Sequence, residues 1–459
     1  MRDHRAIYQS LLAIAAAGMC AYAQPAAPKC TYYVSGTGSD TATGDSQRSA
    51  FRTLQRAANL TKPGDLVCVM NGNYSNSDPK GAVLTISIPG TAEKWIRYEA
   101  YPGQTPHISF NGWDGVNFAA TAAYIELKGF NITGNNDHVT LEQSLSRGKT
   151  SVPAYDGNCV IAARARDGKS GSAPHHLRIL NNVIGKCGGG GIATVGADYI
   201  TISGNTVYDA AWYSMYGNSG ISNYQNWNSD NYTGYKMFIT GNRVYGNREL
   251  VPWAFYMPKP EITDGEGIII DDQRHTQGKA PHEPYIGRTL IANNIVYDNG
   301  SDGIEVYSSD HVDIVNNTTY HNVNTPEETG RGELNLNSAA DVNVLNNIFV
   351  SAKGQNPVNV EKNATNSVYL NFNLYFNGEN KIASGNGPND LYGDPLFLNP
   401  DAPNRALADF HVAARSPAVD SGSDQLARRV DFDGHSRPQG GGYDRGAFDR
   451  SAKPPSAKP

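Results

Sequence analysis

The sequence is poor in charge and lacks long apolar runs after its first residues. Charged residues make up only 18% of the 459, against 39% hydrophobic residues, a balance that supports a sizeable core rather than a disordered chain. No stretch beyond residue 23 approaches the ~20 apolar residues of a membrane span, and a basic face suited to nucleic acid is absent. We therefore expect no membrane span and no nucleic-acid partner. We also expect a monomer.

Glycine and tyrosine are abundant, with 48 and 26 residues, and asparagine recurs along the middle of the chain. These residue types favour tight turns and short strands. Coiled coils and helical bundles are instead rich in alanine, glutamate, lysine and leucine. The composition therefore excludes the all-α classes and favours an all-β protein.

Residues 1–23 predict a secretory signal peptide, because a basic head and an apolar run precede an A-x-A sequence at residues 21–23. Its removal takes Arg2, Arg5 and Asp3 from the 38 basic and 44 acidic residues, which leaves 36 and 43 and a formal charge of −7. The mature protein is therefore expected to be secreted, either to the periplasm or outside the cell.

Four cysteines remain after that cleavage, namely Cys30, Cys68, Cys159 and Cys187. An even number of cysteines in an exported protein predicts disulfides. Four thiols allow three pairings, and proximity along the chain favours Cys30–Cys68 and Cys159–Cys187. No C-x₂-C spacing accompanies them, so we do not expect a zinc site.

An internal repeat, I-x-I-x-N/G-N-x-V-Y, indicates the fold class. Each copy alternates apolar and polar residues and then breaks at asparagine, which predicts a short strand followed by a turn. The second asparagine of the motif recurs at intervals of 23 to 52 residues, which indicates one structural coil with loops of variable length. It falls at Asn182, Asn205, Asn242, Asn294, Asn317 and Asn347.

Strands without intervening helices, stacked coil on coil with asparagine at equivalent corners, predict a parallel β-helix. In this arrangement the stacked asparagine side chains hydrogen-bond to one another and to the corner backbone. A β-propeller is the alternative, but its blades run to about 40–45 residues with four strands each.

Both ends of the chain resemble those of exported right-handed parallel β-helix proteins. Residues 32–74 contain a strand, an S-x-x-G-S-D turn and the sequence F-R-T-L-Q-R-A-A, and the segments at 393–397 and 416–422 are similar to the usual ending. The resemblance implies an all-β right-handed parallel β-helix with a capping helix over residues 53–60.

The expected organisation is a single β-helix domain over residues 24–450. An N-terminal strand and helix cap would occupy residues 24–75, the coils residues 76–380 and a C-terminal cap residues 381–450. The tail at residues 451–459 has a composition typical of disorder.

Alternation within the strands predicts a polar strip along one face of the β-helix. If Ile268, Ile270 and their equivalents point inward, two outward ladders result, because neighbouring coils lie ~4.8 Å apart. One ladder contains Asp271, Tyr307 and Asn337, with Tyr224 one coil earlier, and the other contains Ile269, Glu305 and Asn335. The alternative is a solvated face without a function.

Acidic residues and long insertions make this strip a candidate site. Asp271 and Asp272 end one strand, while Glu266 and Asp302 lie near the starts of successive strands. Clustered carboxylates repel each other unless a cation neutralises them, which points to Ca²⁺ and its oxygen ligands.

The insertions at residues 248–264 and 273–288 flank this coil. They supply aromatic residues for sugar stacking and candidate bases: Trp253, Tyr256, Lys259, Arg274 and His275.

Exported β-helix proteins of this appearance are similar to polysaccharide lyases, including pectate lyases. In one pectate lyase family, clustered aspartates bind Ca²⁺ and a lysine removes the proton from the sugar. Asp271 and Asp272 match the adjacent aspartates, whereas Glu305 occupies the position of the lysine. The resemblance implies an enzyme that cleaves an acidic polysaccharide by Ca²⁺-assisted β-elimination, with Lys259, Arg274 or His275 as the base.

Two other functions remain open at this point. A glycoside hydrolase would use Asp271 and Glu305 as its acid and base. A non-catalytic glycan-binding or adhesion protein would use the amides and tyrosines of the strip, namely Asn335, Asn337, Tyr224 and Tyr307. A C5-epimerase is a further possibility within the same group of uronate chemistries.

Overall fold

Short strands wind in successive coils, and most coils place one strand in each of three parallel sheets. The computed structural model describes residues 29–450 apart from residues 76–77, 166–171, 279–282, 329, 365–366 and 378–386. The predicted signal peptide at residues 1–23 and the tail at residues 451–459 lie outside the described residues. The parallel β-helix predicted from the repeat is confirmed, with the right-handed winding that the resemblance implies.

The three sheets are named A, B and C. Sheet A contains Tyr32–Val34, Leu66–Val69, Ile96–Ala100, Ala123–Lys128, His175–Leu180, Asp198–Ser203, Tyr235–Thr240, Arg288–Ala292, Asp310–Val315, Ala340–Leu345 and Val368–Asn371. Sheet B contains Asn73–Tyr74, His107–Ser109, Asn131–Thr133, Val183–Gly185, Thr206–Tyr208, Arg243–Tyr245, Ile295–Tyr297, Thr318–Tyr320, Ile348–Val350, Leu374–Phe376 and Leu391–Tyr392. Sheet C contains Ala82–Ile86, Asp114–Phe118, Asn158–Ala163, Ile192–Val195, Ile221–Tyr224, Ile268–Asp271, Ile304–Tyr307, Leu334–Asn337 and Val358–Val360.

Strand register follows the alternation of apolar residues. Ile268 pairs with Ile304, which pairs with Leu334, and all three side chains are fully buried. The next inward position repeats this pattern with Ile270, Val306 and Leu336. Since successive side chains of a strand point to opposite faces, the residues between them point outward, and the two predicted ladders are confirmed.

The asparagine corner is continuous through the coils. The Asn317 backbone N–H donates to Oδ1 of Asn347 at 2.8 Å, and its Nδ2 donates to the same oxygen at 3.0 Å and to the Ile291 carbonyl at 2.9 Å. The residue before each asparagine has a positive φ, such as +56° at Asn316 and +68° at Gly204. Glycine and asparagine adopt this conformation more readily than most residues, which explains the N/G position of the repeat.

A second asparagine ladder was not predicted. Asn247 donates to Asn299, and Asn299 donates to Asn322, at the opposite end of the sheet B strands. This ladder ends at Glu333, whose Oε1 accepts from the Asn322 backbone N–H at 2.9 Å. The sequence signal was the triplet Tyr-x-Asn, which ends at each of these three asparagines.

The two ends of the β-helix differ in construction. The N-terminal helix Leu54–Ala58 is shorter than predicted, and Oγ1 of Thr53 caps it by accepting from the Arg56 N–H at 3.2 Å. The C-terminal cap contains the antiparallel strands Phe397–Asn399 and Asp409–Val412 and packs against sheet B. The other helices are Leu141–Ser146 and Pro153–Asp156, with 3₁₀ turns at Asn136–His138 and Arg405–Leu407.

Both predicted disulfides form, linking Cys30 to Cys68 and Cys159 to Cys187. The first joins Cys30, which precedes the strand Tyr32–Val34, to Cys68 in the next strand of sheet A, and the second lies in the core. Among the helices of the described residues, none is long and apolar enough to cross a membrane.

Candidate active site

The outward face of sheet C lies between two sets of loops. The chain runs from sheet B to sheet C to sheet A in each coil. The loops that precede five of the sheet C strands therefore line one edge of this face, and we call them the entry loops: residues 134–157, 209–220, 246–267, 298–303, 321–328 and 330–333. The loops that follow two of these strands line the other edge, and we call them the exit loops: residues 225–234, 272–278 and 283–287.

Three carboxyl groups meet at this face. The carboxylate oxygens of Glu266, Asp302 and Glu305 lie within 4.8 Å of one another, and all three side chains are buried. Glu305 points outward from its strand, while Glu266 and Asp302 precede the strands of two successive coils. We call these three residues the acid cluster.

Arg331, which the sequence did not identify, is the main cation at the cluster. Its Nη1 lies 2.9 Å from Glu305 and 3.3 Å from Asp302, and its Nε lies 2.6 Å from Glu328. The amide of Asn335 donates to Asp302 at 3.1 Å and to Glu305 at 3.0 Å. One guanidinium therefore faces more carboxyl groups than it can neutralise.

Glu266 keeps one oxygen without a protein partner. Its Oε2 accepts from the Ser219 hydroxyl at 2.6 Å, whereas its Oε1 is buried and has no hydrogen-bond partner among the described residues. Glu249 shares this feature. Its Oε2 accepts from the Thr263 and Asp264 N–H groups, and its Oε1 has no hydrogen-bond partner among the described residues. A buried unpaired oxygen of this kind costs roughly 1–3 kcal/mol or more, so the site is incomplete without a proton or a ligand.

Burial raises the pKa of all three cluster residues, to about 6 for Asp302 and to about 8 for Glu305. For Glu266, burial and then the charges of Asp264 and Glu305 raise the pKa well above its usual value. The Arg331 guanidinium opposes each shift. Because the charged forms are disfavoured, Glu305 keeps its proton near neutral pH, and a bound cation would favour its release.

The adjacent aspartates Asp271 and Asp272 have different environments. Asp271 is half-buried on the outward face, and its Oδ1 accepts from the Gln277 amide at 3.1 Å. Burial, followed by the charges of Asp264 and Glu305, raises the pKa of Asp271 well above its usual range. This carboxyl group is therefore the one of the pair that faces the site.

Asp272 is buried, and both of its oxygens are occupied. Oδ1 accepts from the N–H and the hydroxyl of Thr276, each at 2.7 Å. Oδ2 accepts from the Gln277 N–H and from the Gln225 amide, each at 2.8 Å. These four bonds anchor the exit loop, and the structure does not bring Asp272 into the acid cluster with Glu266 and Asp302 as the sequence predicted.

Each of the three predicted bases is held by a partner outside the acid cluster. Arg274 forms two bonds to Asp310, at 2.9 and 2.6 Å. A ring nitrogen of His275 lies 2.9 Å from the Asn226 carbonyl. Lys259 is largely exposed and lies 3.6 Å from Glu261. Arg274 and His275 thus stabilise the exit loop, while Lys259 belongs to the entry loops.

The predicted substrate-binding residues lie along the sheet C face. Tyr224, Asp271, Tyr307 and Asn337 follow each other in register on four adjacent strands. From the entry loops, Trp253 and Tyr256 contact each other, with ring centroids 5.6 Å apart. Burial raises the pKa of the Tyr307 hydroxyl, with added contributions from Asp271, Glu305, Asp272 and Tyr256.

Comparisons with known proteins support the fold. A family model described as "Pel9A-like, right handed beta helix region" matches residues 32–162. The structure of pectate lyase Pel9A is similar, with a TM-score of 0.52 and 15% identity over 92% of this chain and 96% of that chain. The chain has a pectate-lyase-like right-handed parallel β-helix fold.

The pectate-lyase-like fold does not identify the chemistry. The structure of a glycoside hydrolase gives the same TM-score of 0.52, with 9% identity over 79% of this chain and 96% of that chain. No curated protein matches the sequence. The residues matched by the family model, 32–162, also precede the acid cluster, so the function must be argued from the site itself.

Sequence reasoning missed the entry-loop residues of this pectate-lyase-like β-helix. Arg331 and Ser219 contact the acid cluster, and the charge of Asp264 acts on it. None of these residues belongs to the repeat. The available signal was position, because Asp264, Glu266, Asp302 and Glu333 all lie within four residues before a sheet C strand. That placement brings acidic side chains of successive coils to one edge of the sheet.

Proposed function

We propose that this protein is a secreted enzyme that cleaves an acidic polysaccharide at the sheet C face by cation-assisted β-elimination. The observation that carries the proposal is the acid cluster, in which three buried carboxyl groups meet and Glu266 Oε1 has no partner among the described residues. The two disulfides agree with an oxidising, extracytoplasmic location.

The residues present fit a hard divalent cation such as Ca²⁺. This ion takes 6–8 oxygen ligands, including carboxylates, and Glu266, Asp302 and Glu305 supply carboxylate oxygens within 4.8 Å of one another. When bound, Ca²⁺ supplies the positive charge that an anionic substrate and its enolate intermediate require. Asp272 is not included in this set, because it lies outside the acid cluster and its hydrogen bonds anchor the exit loop.

Asp271 is best placed to accept the proton in this proposal. β-Elimination removes the hydrogen at C5, forms the C4–C5 double bond and breaks the bond from C4 to the leaving oxygen. A base works best when its pKa lies near the working pH, and burial raises the pKa of Asp271 well above its usual range. Asp271 is also half-buried on the outward face, whereas Arg274 and His275 are held in the exit loop.

Tyr307 is placed to return a proton. It pairs with Asp271 on the adjacent strand and points to the same face. In the proposed reaction its hydroxyl donates to the leaving oxygen, while Arg331 remains the counter-ion of Asp302 and Glu305. The four outward residues named above would then line the polysaccharide across the coils.

A glycoside hydrolase is the second candidate, and the raised pKa values favour it specifically. Burial raises the pKa of Glu305 to about 8, so that this group can act as a proton donor at neutral pH. Asp271 lies on the adjacent strand of the same face and would be the second carboxyl group of the pair. Glycosidases require two such groups, one of them protonated.

The distinguishing experiment incubates the enzyme with pectate, alginate, glucuronan and neutral glycans, with Ca²⁺ or with a chelator. Ultraviolet absorbance from unsaturated uronates, together with new reducing ends and a loss of both with chelator, is the expected result. Reducing ends without absorbance would favour the hydrolase. Binding without either product would contradict an enzymatic function and leave the glycan-binding alternative.

Asp271→Asn provides the matched variant for this assay, with Asp310→Asn as the control. Asp271→Asn should abolish product formation while melting stays close to that of the wild type. Asp310 pairs with Arg274 outside the acid cluster, so its substitution should leave the chemistry intact. Full activity in Asp271→Asn would rule out the proposed base.

A further inference from the structure

An exposed aromatic patch lies on the entry loops. Tyr216 is 39% exposed, Phe255 is 48% exposed and Met257 is 77% exposed. The rings of Tyr216 and Phe255 are stacked, with centroids 5.7 Å apart and an interplanar angle of 19°. Exposed aromatic side chains grouped in this way commonly mark a binding surface.

The loops beneath this patch are packed and held together. Met215, Val251 and Ala254 form a small buried core, and the Ala254 N–H donates to the Met215 carbonyl at 3.0 Å. The Met215 N–H in turn donates to Asp156, which forms a buried 2.6 Å ion pair with Arg147. Three entry loops are thereby fixed to one another, so the exposure of the rings is built into the fold.

A cation accompanies the aromatic patch. Lys149 Nζ lies 5.6 Å from the ring centroid of Phe255, within the range of a cation–π contact. Lys259, on the same entry loop as Phe255, is largely exposed. Lys259 lies 3.6 Å from Glu261, so Lys149 is the cation of the patch that is complementary to an anionic ligand.

The patch adjoins the sheet C face through neighbouring residues. Tyr256 follows Phe255 directly, and its ring contacts that of Trp253 at 5.6 Å. Tyr256 also lies close enough to Tyr307 to influence that hydroxyl electrostatically, alongside burial and nearby carboxylates. A polysaccharide on the sheet C face can therefore continue onto the entry loops.

We propose that Tyr216, Phe255 and Lys149 form a distal subsite that binds a uronate unit of the polysaccharide, and this rests on the proposed function. The apolar C–H face of a pyranose ring packs on an aromatic face, while Lys149 pairs with the uronate carboxylate. This subsite binds the polymer away from the bond that is cleaved. It therefore increases affinity for long chains and does not alter the chemical step.

The test uses Phe255→Ala and Lys149→Gln with polygalacturonate and alginate, both as polymers and as short oligosaccharides. Loss of an aromatic contact costs about 0.5–1.5 kcal/mol, so KM for the polymer should rise about 2- to 12-fold with kcat unchanged. Short oligosaccharides should show little change. Leu407→Ala is the control, because Leu407 is 69% exposed but lies in the C-terminal cap.

A second readout is retardation of the folded variants in native gels that contain each polymer. Reduced retardation of both variants, with the melting temperature preserved, supports the subsite. If the variants match the wild type in KM and in retardation while cleavage persists, the subsite is wrong and the proposed function stands. If the wild type neither cleaves nor is retarded by any acidic polymer, both proposals are wrong.

Discussion

The asparagine corner and the acid cluster are both buried polar arrays that cross several coils, and they differ in how their groups are paired. At Asn317 both side-chain atoms have partners in neighbouring coils. In the acid cluster, Glu266 Oε1 has none among the described residues, and Asp302 and Glu305 share one guanidinium.

This difference separates a structural array from a functional one. A fully paired polar ladder stabilises the stacking of coils, because each amide replaces its lost water contacts. An array with unpaired and mutually repelling groups costs free energy in the isolated protein. Such a cost is expected where a ligand completes the site.

The largest effect on stability is expected from Arg331→Gln. Removal of the guanidinium leaves buried Asp302 and Glu305 without their counter-ion, and breaking a buried pair costs about 3–5 kcal/mol. Chemical denaturation without Ca²⁺ should show this loss, and added Ca²⁺ should recover more stability in the variant than in the wild type. Arg97→Gln is the control, since the exposed Arg97–Glu99 pair is worth about 1 kcal/mol or less. Equal losses in the two variants would contradict the role of Arg331.

A smaller loss is expected from Asn317→Ala in the middle of the corner ladder. The substitution removes the side-chain oxygen that accepts from the Asn294 backbone N–H and the amide that donates to the Ile291 carbonyl, at a cost of roughly 1–3 kcal/mol. The exposed Asn231 should tolerate alanine with a change of about 0.5 kcal/mol or less. Catalytic activity should survive in both variants below their melting temperatures. Similar denaturation midpoints for the two would argue against the paired ladder.

The third prediction concerns the pH dependence of stability. Burial raises the pKa of Glu305 from 4.5 to about 8, so between these values the folded protein keeps a proton that the unfolded chain has released. The free energy of unfolding of the metal-free protein should therefore fall as pH rises through this interval. Glu305→Gln should reduce that slope by up to about 1.4 kcal/mol per pH unit.

Saturating Ca²⁺ serves as the control for the pH experiment. A bound cation favours the charged carboxylates, so the slope in the wild type should flatten when Ca²⁺ is present. If the metal-free wild type and Glu305→Gln show the same slope, the buried carboxyl group does not titrate as argued.

Much of the fold could be predicted because each copy of the repeat corresponds to one strand and the turn after it. The N/G-N sequence predicts a turn, in which Asn316 has a positive φ and Asn317 belongs to the ladder. Alternation around Ile268 and Ile270 was sufficient to place Asp271 and Glu305 on the outward face. The second ladder at Asn299 escaped notice because its signal is a short Tyr-x-Asn triplet.

The site was less predictable because loops complete it. Arg331 and Ser219 reach the cluster from entry loops whose lengths differ from coil to coil, and repeat periodicity carries no information about their path. Asp272 was grouped with Asp271 from adjacency alone. Its left-handed backbone, with a φ of +49°, turns it into the exit loop instead.

The most direct test of the central claim is calorimetric titration of the metal-free protein with Ca²⁺ near neutral pH. One Ca²⁺ ion should bind at the acid cluster of the wild type. Glu266→Gln should abolish this binding and leave the circular dichroism spectrum unchanged. Glu126→Gln, which alters a buried carboxyl group on sheet A, should bind as the wild type does. Absence of binding to the wild type, or equal binding by Glu266→Gln, would contradict the account.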